Sequence, residues 1–215
     1  MDREAIYFDQ TYDNIERIIM DNFQIGGIME TNLVYVIDQC VPDDYLPSDK
    51  ILAASVGCGN FIRDHAVIRG FHMYRYGSDK EVFIVGMDKQ KKLVDRDVHD
   101  LEMRGEAGDA SSDIPWLSGL SLTSSDDYDY IQILNPDLMV GGWQDIYQNA
   151  LEYLSDQGIL VTVCHGEDQM GLKALSKELS KDKRLDVSPI RVFEIESEYS
   201  GFMNPSYCFN YIRHD

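Results

Sequence analysis

Beyond residue 50, short apolar runs alternate with segments of helical periodicity, and this alternation constrains the fold more than any other feature of the chain. The strand candidates are Ile51 to Val56, Val82 to Val85, Tyr130 to Leu134, Ile159 to Val163, Arg191 to Glu196 and Ser206 to Ile212. Between them, Trp143 to Leu154 reads as a helix with Ile146, Tyr147, Ala150, Leu151 and Leu154 on one face, stopped at Gln157-Gly158. A second helix, about Asp168 to Leu179, carries Leu172, Leu175 and Leu179 on its apolar side. Alternating elements of this kind predict an α/β fold, a doubly wound and mostly parallel sheet. The link EYSGFMNPS between the last two strand candidates holds no helix. A parallel crossover needs about a dozen residues, so an antiparallel hairpin at the sheet edge is expected there.

The first 45 residues have a different texture. Ile15, Ile18, Ile19 and Phe23 recur at helical spacing, Asp13 can cap with Glu16, and Gly26-Gly27 breaks the pattern before a second apolar stretch, Ile28 to Ile37. The run VPDDYLPSD (Val41 to Asp49), with two prolines, is a connector. The expected division is therefore an N-terminal helical cap, residues 1–45, and an α/β domain, residues 46–215.

Composition narrows the function. A content of 44% hydrophobic and 11% aromatic residues supports a folded core. Against 19 Lys and Arg stand 38 acids, a formal net charge of -19. Nucleic-acid binding rests on neutralising phosphates, so this charge argues against a nucleic acid as partner, and equally against an anionic membrane surface. No apolar run approaches a bilayer span, and the start MDREAIYFDQ does not read as a secretory signal. Cys40, Cys58, Cys164 and Cys208 are scattered without a CxxC pair, which reads as reduced thiols in a cytoplasmic protein. The five histidines show no ligand spacing, so no metal site is expected.

The strand Ile51 to Val56 runs into Gly57-Cys58-Gly59. Glycines at the first strand-to-helix turn of a doubly wound sheet let backbone approach a ligand closely, though the same residues also make a tight turn without one. A nicotinamide fingerprint wants glycine where Ile62 stands, which disfavours a dinucleotide fold. The segment Ala54-Ser55-Val56-Gly57-Cys58-Gly59-Asn60-Phe61 resembles the first motif of the class I S-adenosylmethionine-dependent methyltransferases, with Ser55 in place of the usual acid and Phe61 in place of the third glycine. Later segments resemble that family's motifs in the same order. Gly86-Met87-Asp88 ends the second strand, Gly108-Asp109-Ala110 precedes Ile114-Pro115, and Asn135-Pro136-Asp137 follows Ile131 to Leu134. Leu154 to Val161 is similar to the family's lead-in to the fifth strand. Asp88 stands 29 positions after Gly59, more than the roughly 20 of a typical nucleotide-binding unit. An insertion around Arg69 to Lys80 would account for the excess.

The resemblance implies a seven-stranded sheet and S-adenosylmethionine as cofactor. It places Ser55, Gly57, Cys58 and Gly59 at the methionine end, with Met87 and Asp88 at the ribose and Asp109 and Ala110 at the adenine. Asn135 would face the methyl-transfer centre. His165, just past the fifth strand, is a candidate base or acceptor contact, or else a turn residue. Tyr7, Phe8, Tyr12 and Tyr35 are aromatic candidates for a lid, or simple packing groups. The implied activity is methyl transfer to a small molecule or a protein side chain. Ser55 and Phe61 leave open a relative that has lost catalysis and serves as a binding scaffold. An RNA acceptor would require a basic partner to supply the missing cations.

Overall fold

The computed structural model describes residues 3–23, 27–57, 61–88, 103–107, 109–123, 126–136, 138, 142–195 and 206–215. The elements run β1 (Arg3–Ile6), α1 (Gln10–Phe23), α2 (Ile28–Cys40), β2 (Lys50–Val56), α3 (Phe61–Tyr76), β3 (Glu81–Asp88), β4 (Met103–Ala107), α4 (Asp113–Thr123) and β5 (Tyr128–Leu134). They continue α5 (Trp143–Glu152), β6 (Leu154–His165), α6 (Gln169–Leu179), β7 (Leu185–Val187), β8 (Arg191–Ile195) and β9 (Ser206–His214).

All the strands join one sheet in the order β1-β8-β9-β6-β5-β2-β3-β4, with β7 paired to β9. The block β6-β5-β2-β3-β4 is parallel throughout. β9 runs antiparallel to both β6 and β8, the hairpin expected from the helix-free link. The seven strands implied by the resemblance thus run from β8 to β4; six of them answer the strand candidates, β4 was not among those candidates, and β1 and β7 are additions. β1 was not legible in the sequence because four residues carry no period. Its parallel pairing with β8 makes it a strand, aided by an Arg3–Glu194 ion pair and by Arg191 Nε donating to Glu4 Oε1 at 2.7 Å.

Period-2 alternation divides the sheet into two buried faces. Ile51 and Ala53 of β2 point toward α1, α2 and α3, while Leu52, Ala54 and Val56 point toward α4, α5 and α6. The first face is filled by Ile15, Ile19, Val34, Ile37, Phe71 and Tyr130, the second by Trp116, Tyr128, Ile131, Tyr147, Leu160 and Leu172. The N-terminal helices therefore share one layer with α3 and build a core jointly with the sheet.

Two local expectations are corrected, and two segments gain definition. α1 begins at Gln10 and is capped by Asp9, whose Oδ1 accepts from the Tyr12 amide at 3.1 Å, so the capping residue lies four positions before Asp13. α5 ends at Glu152, and Gly158 lies inside β6 at a register shift between β5 and β6. A Cβ there would sit 2.9 Å from the Tyr128 carbonyl oxygen, a backbone approach that only glycine allows. Most of the segment from Arg69 to Lys80 forms the second half of the 16-residue α3, where Phe71 and His72 are fully buried. Residues 113–123, for which no element was expected, form α4 around the buried Trp116. No helix among the described residues is long and apolar enough to cross a membrane.

Candidate functional site

β2, β3, β5 and β6 all present their carboxyl ends at one edge of the sheet, where open α/β folds bind ligands. The register pairs Val56 with Met87 and with Ile133, and Leu134 with Val163, so the strand tips are immediate neighbours. Gly57 leaves β2 at φ +70, and its amide donates to the Met87 carbonyl at 2.8 Å, tying the turn to the tip of β3. Among the described residues, a Cβ at Gly57 would meet only Trp143, at an ordinary 3.6 Å. Cys58 and Gly59 lie outside the described residues, as do Gly108 and Asp137.

Met87 is fully buried under the turn, and Asp88 is half-buried at the end of β3. Asp109 organises the following turn, accepting from the Ser111 amide at its Oδ1 and from the Ser112 amide and hydroxyl at its carbonyl. Ala110 is buried, and its carbonyl receives Trp116 Nε1 at 2.9 Å and Asn149 Nδ2 at 3.2 Å. Asn135 follows β5 at φ +49, the one non-glycine with positive φ among the described residues, and its amide donates to Val163 O at 2.7 Å. Asparagine tolerates that left-handed turn better than most residues. Its side chain is exposed at the strand tip. His165 closes β6, half-buried, with its ring 6.0 Å from that of Tyr207 on β9.

Ser55 does not point into open space. It is fully buried, and its hydroxyl donates to Asp64 Oδ2 on α3 at 2.6 Å. Burial pushes the Asp64 carboxyl up to about 7; the Ser55 hydrogen bond opposes that rise, the Asp88 charge adds to it, Arg63 opposes it and Glu30 adds again. Glu30 is fully buried at the start of α2, 2.9 Å from Arg63 Nε. Next to it, Asn32 Oδ1 accepts from the buried Tyr12 hydroxyl at 2.8 Å. Of the four lid candidates, Tyr12 and Tyr35 are buried while Tyr7 and Phe8 are exposed. Sequence reading missed Glu30, Arg63 and Asp64. The available signal was the polar run Glu30-Thr31-Asn32 opening an otherwise apolar helix.

A surface hollow of about 840 Å³, lined by residues including Asp127, Leu154, Asp182, Arg184 and His214, lies at the opposite edge of the sheet, where β5 and β6 begin. None of the candidate site residues above lines it.

Taken from β4 to β8, the strand order and the lone antiparallel β9 define the class I methyltransferase fold. Solved structures share it across nearly the whole chain. A Thermoplasma acidophilum protein superposes with a TM-score of 0.59 at 12% identity, covering 96% of this chain and 98% of its own. The plantazolicin methyltransferase BpumL, in complex with a triazolic desmethyl analogue and S-adenosylhomocysteine, gives 0.56 at 10% identity, covering 96% and 98%. A Listeria monocytogenes protein proposed to be a class I S-adenosylmethionine-dependent methyltransferase gives 0.55 at 13% identity, covering 95% and 68%. No protein-family profile and no curated protein sequence matches the chain.

Proposed function

We propose that the protein is an S-adenosylmethionine-dependent methyltransferase acting in the cytoplasm on a small molecule or a protein side chain. The observation that carries this reading is the glycine turn at Gly57, bonded to Met87, with the Asp88 carboxylate one strand away. A bare carboxylate at a strand tip can accept from both ribose hydroxyls. Asp109 and Ala110 supply an acceptor and a backbone edge for adenine; Gly57 stands at the amino-acid end, with Cys58 and Gly59 next in sequence, and Ser55 lies buried behind it, bonded to Asp64. Free, buried Cys40, Cys164 and Cys208 suit a reducing compartment. The net charge of -19 favours an acceptor other than nucleic acid.

The bound cofactor supplies an electrophilic methyl group on a sulfonium. The chain's own work is alignment and exclusion of water at the edge where β2, β3, β5 and β6 end. Asn135, whose backbone amide bonds the Val163 carbonyl, would face the acceptor, and His165 would hold or receive an acceptor proton. Within residues 1–45, whose helices pack into the core, the exposed Tyr7 and Phe8 supply the lid contacts, and their faces suit a cationic group.

Thermal-shift titration with S-adenosylmethionine and S-adenosylhomocysteine tests the reading. Ligand at 100 times its Kd stabilises by about 2.7 kcal/mol. For a chain of this size that raises Tm by roughly 5–10 °C. A cooperatively melting sample that shifts with neither ligand would instead indicate a binding scaffold. Asp88→Ala is expected to weaken S-adenosylhomocysteine binding by about 1.5–3 kcal/mol, the scale of charge-assisted hydrogen bonds. Unchanged affinity in calorimetry would remove Asp88 from the ribose site.

A further inference from the structure

β6 and β9 run antiparallel, and the rungs Leu160–Ile212, Thr162–Asn210 and Cys164–Cys208 turn toward α5 and α6. The Thr162 and Tyr147 hydroxyls bond at 2.7 Å, and Asn210 Nδ2 donates to Ser176 Oγ at 3.0 Å. Cys164 and Cys208 stand directly opposite each other, both fully buried and both free thiols. Opposed residues of an antiparallel pair lie about 4.5 or 5.5 Å apart at Cα, and a disulfide spans roughly 4.4–6.8 Å, so the bond can close here without moving either strand. The rung is one step from the end of the ladder at His165–Tyr207, close to the start of β9 at Ser206. Ends of ladders open at lower cost than their middles, so an oxidant the size of water reaches the pair without a standing channel.

We propose that Cys164 and Cys208 are a redox-active pair, oxidised by a peroxide to a cross-strand disulfide and restored by a thiol reductant. In a reducing compartment such bonds are transient and serve redox sensing, which fits the reduced state of both thiols. The Cys208 thiolate attacks a peroxide oxygen; the O–O bond breaks, hydroxide leaves and a sulfenic acid forms. The Cys164 sulfur then displaces hydroxide from Cys208 as the S–S bond forms. With the two thiol protons the hydroxides leave as water. Each sulfur loses one electron, and the peroxide gains both. Cys208 is the first to react because the Cys164 thiol lowers its acidity constant below the ordinary range; burial opposes this, Lys173 assists it and Asp168 opposes it. Cys40 has no such thiol partner, and burial pushes it up. The bond pins the rung beside His165 and Tyr207, whose rings lie 6.0 Å apart. None of this depends on the cofactor.

The test starts from the full chain, fully reduced and then treated with hydrogen peroxide in native buffer. Remaining thiols are alkylated in denaturant, and the digest is mapped by mass spectrometry. The expected product is a peptide pair linked through Cys164 and Cys208, lighter by two hydrogens than its reduced parts and lost on adding dithiothreitol. It should form roughly tenfold faster than Cys40 is oxidised. Cys164→Ser keeps a hydroxyl donor toward Cys208 but cannot close the bond, so it should leave a Cys208 sulfenic acid that dimedone traps. If that variant does not fold, the wild-type map decides alone. A pair that stays alkylatable while Cys40 oxidises at least as fast, or a dominant link to Cys40 or Cys58, overturns the proposal.

Discussion

Asp64→Asn should make the ligand-free protein more stable at pH 8 than the wild type, by about 4 kcal/mol. The sign follows from the direction of the shift. Burial raises the Asp64 carboxyl from an ordinary 3.8 to about 7, so between those values the folded state holds a proton that the unfolded chain has released. Wild-type stability therefore declines across that window and carries the full penalty above it. Asparagine removes the ionisation while its amide oxygen still accepts the Ser55 hydroxyl. Urea unfolding at pH 8 should show the gap, and repeating it nearer pH 5 should show the gap closing. A variant less stable than the wild type at pH 8 would mean that the carboxylate has a cationic partner within the chain. A protein that keeps a destabilising acid in its interior fits the balance between stability and activity expected of functional sites.

Trp116→Ala should cost about 3–5 kcal/mol of stability, the range for deleting a fully buried large aromatic. Trp116 lies edge-on to Tyr128 at 5.7 Å and stacks on Tyr153 at 5.9 Å, and its carbonyl accepts the Tyr128 hydroxyl at 3.1 Å. Its indole also holds the Ala110 carbonyl, so the turn proposed to meet adenine would lose one of its two anchors. Denaturation midpoints together with S-adenosylhomocysteine affinity under folding conditions check both effects. A loss below about 1 kcal/mol would contradict the close packing of α4 on the sheet.

The parallel core was legible because its strands are buried on both faces and read as continuous apolar runs, Ile51 to Val56 and Ile159 to Val163 among them. The hairpin was legible from a link that lacked a helix. β1, β4 and β7 were not, since strands of four, five and three residues owe their existence to the partners they pair with. Gly158 misled because a glycine at a helix stop and a glycine under a carbonyl look alike in one dimension. At the site, residues on strand tips could be placed from motif order, whereas Asp64 and Glu30 could not. They reach Ser55 and Arg63 from helices, and no spacing along the chain encodes that approach.

The parallel pairing of β1 with β8 has a consequence for biosynthesis. Arg3 lies opposite Val192, so this strand leaves the ribosome some 189 residues ahead of the backbone it must join. Loop closure over that distance is slow, and domain segments made early must wait in a partly open state. The layer formed by α1 and α2 packs on β6, β8 and β9 as well as β2, so it too waits for the last third of the chain. Nascent protein stalled before β8 would expose the apolar side of α2, and a chaperone that shields helices during translation would find its longest-lived client surface there.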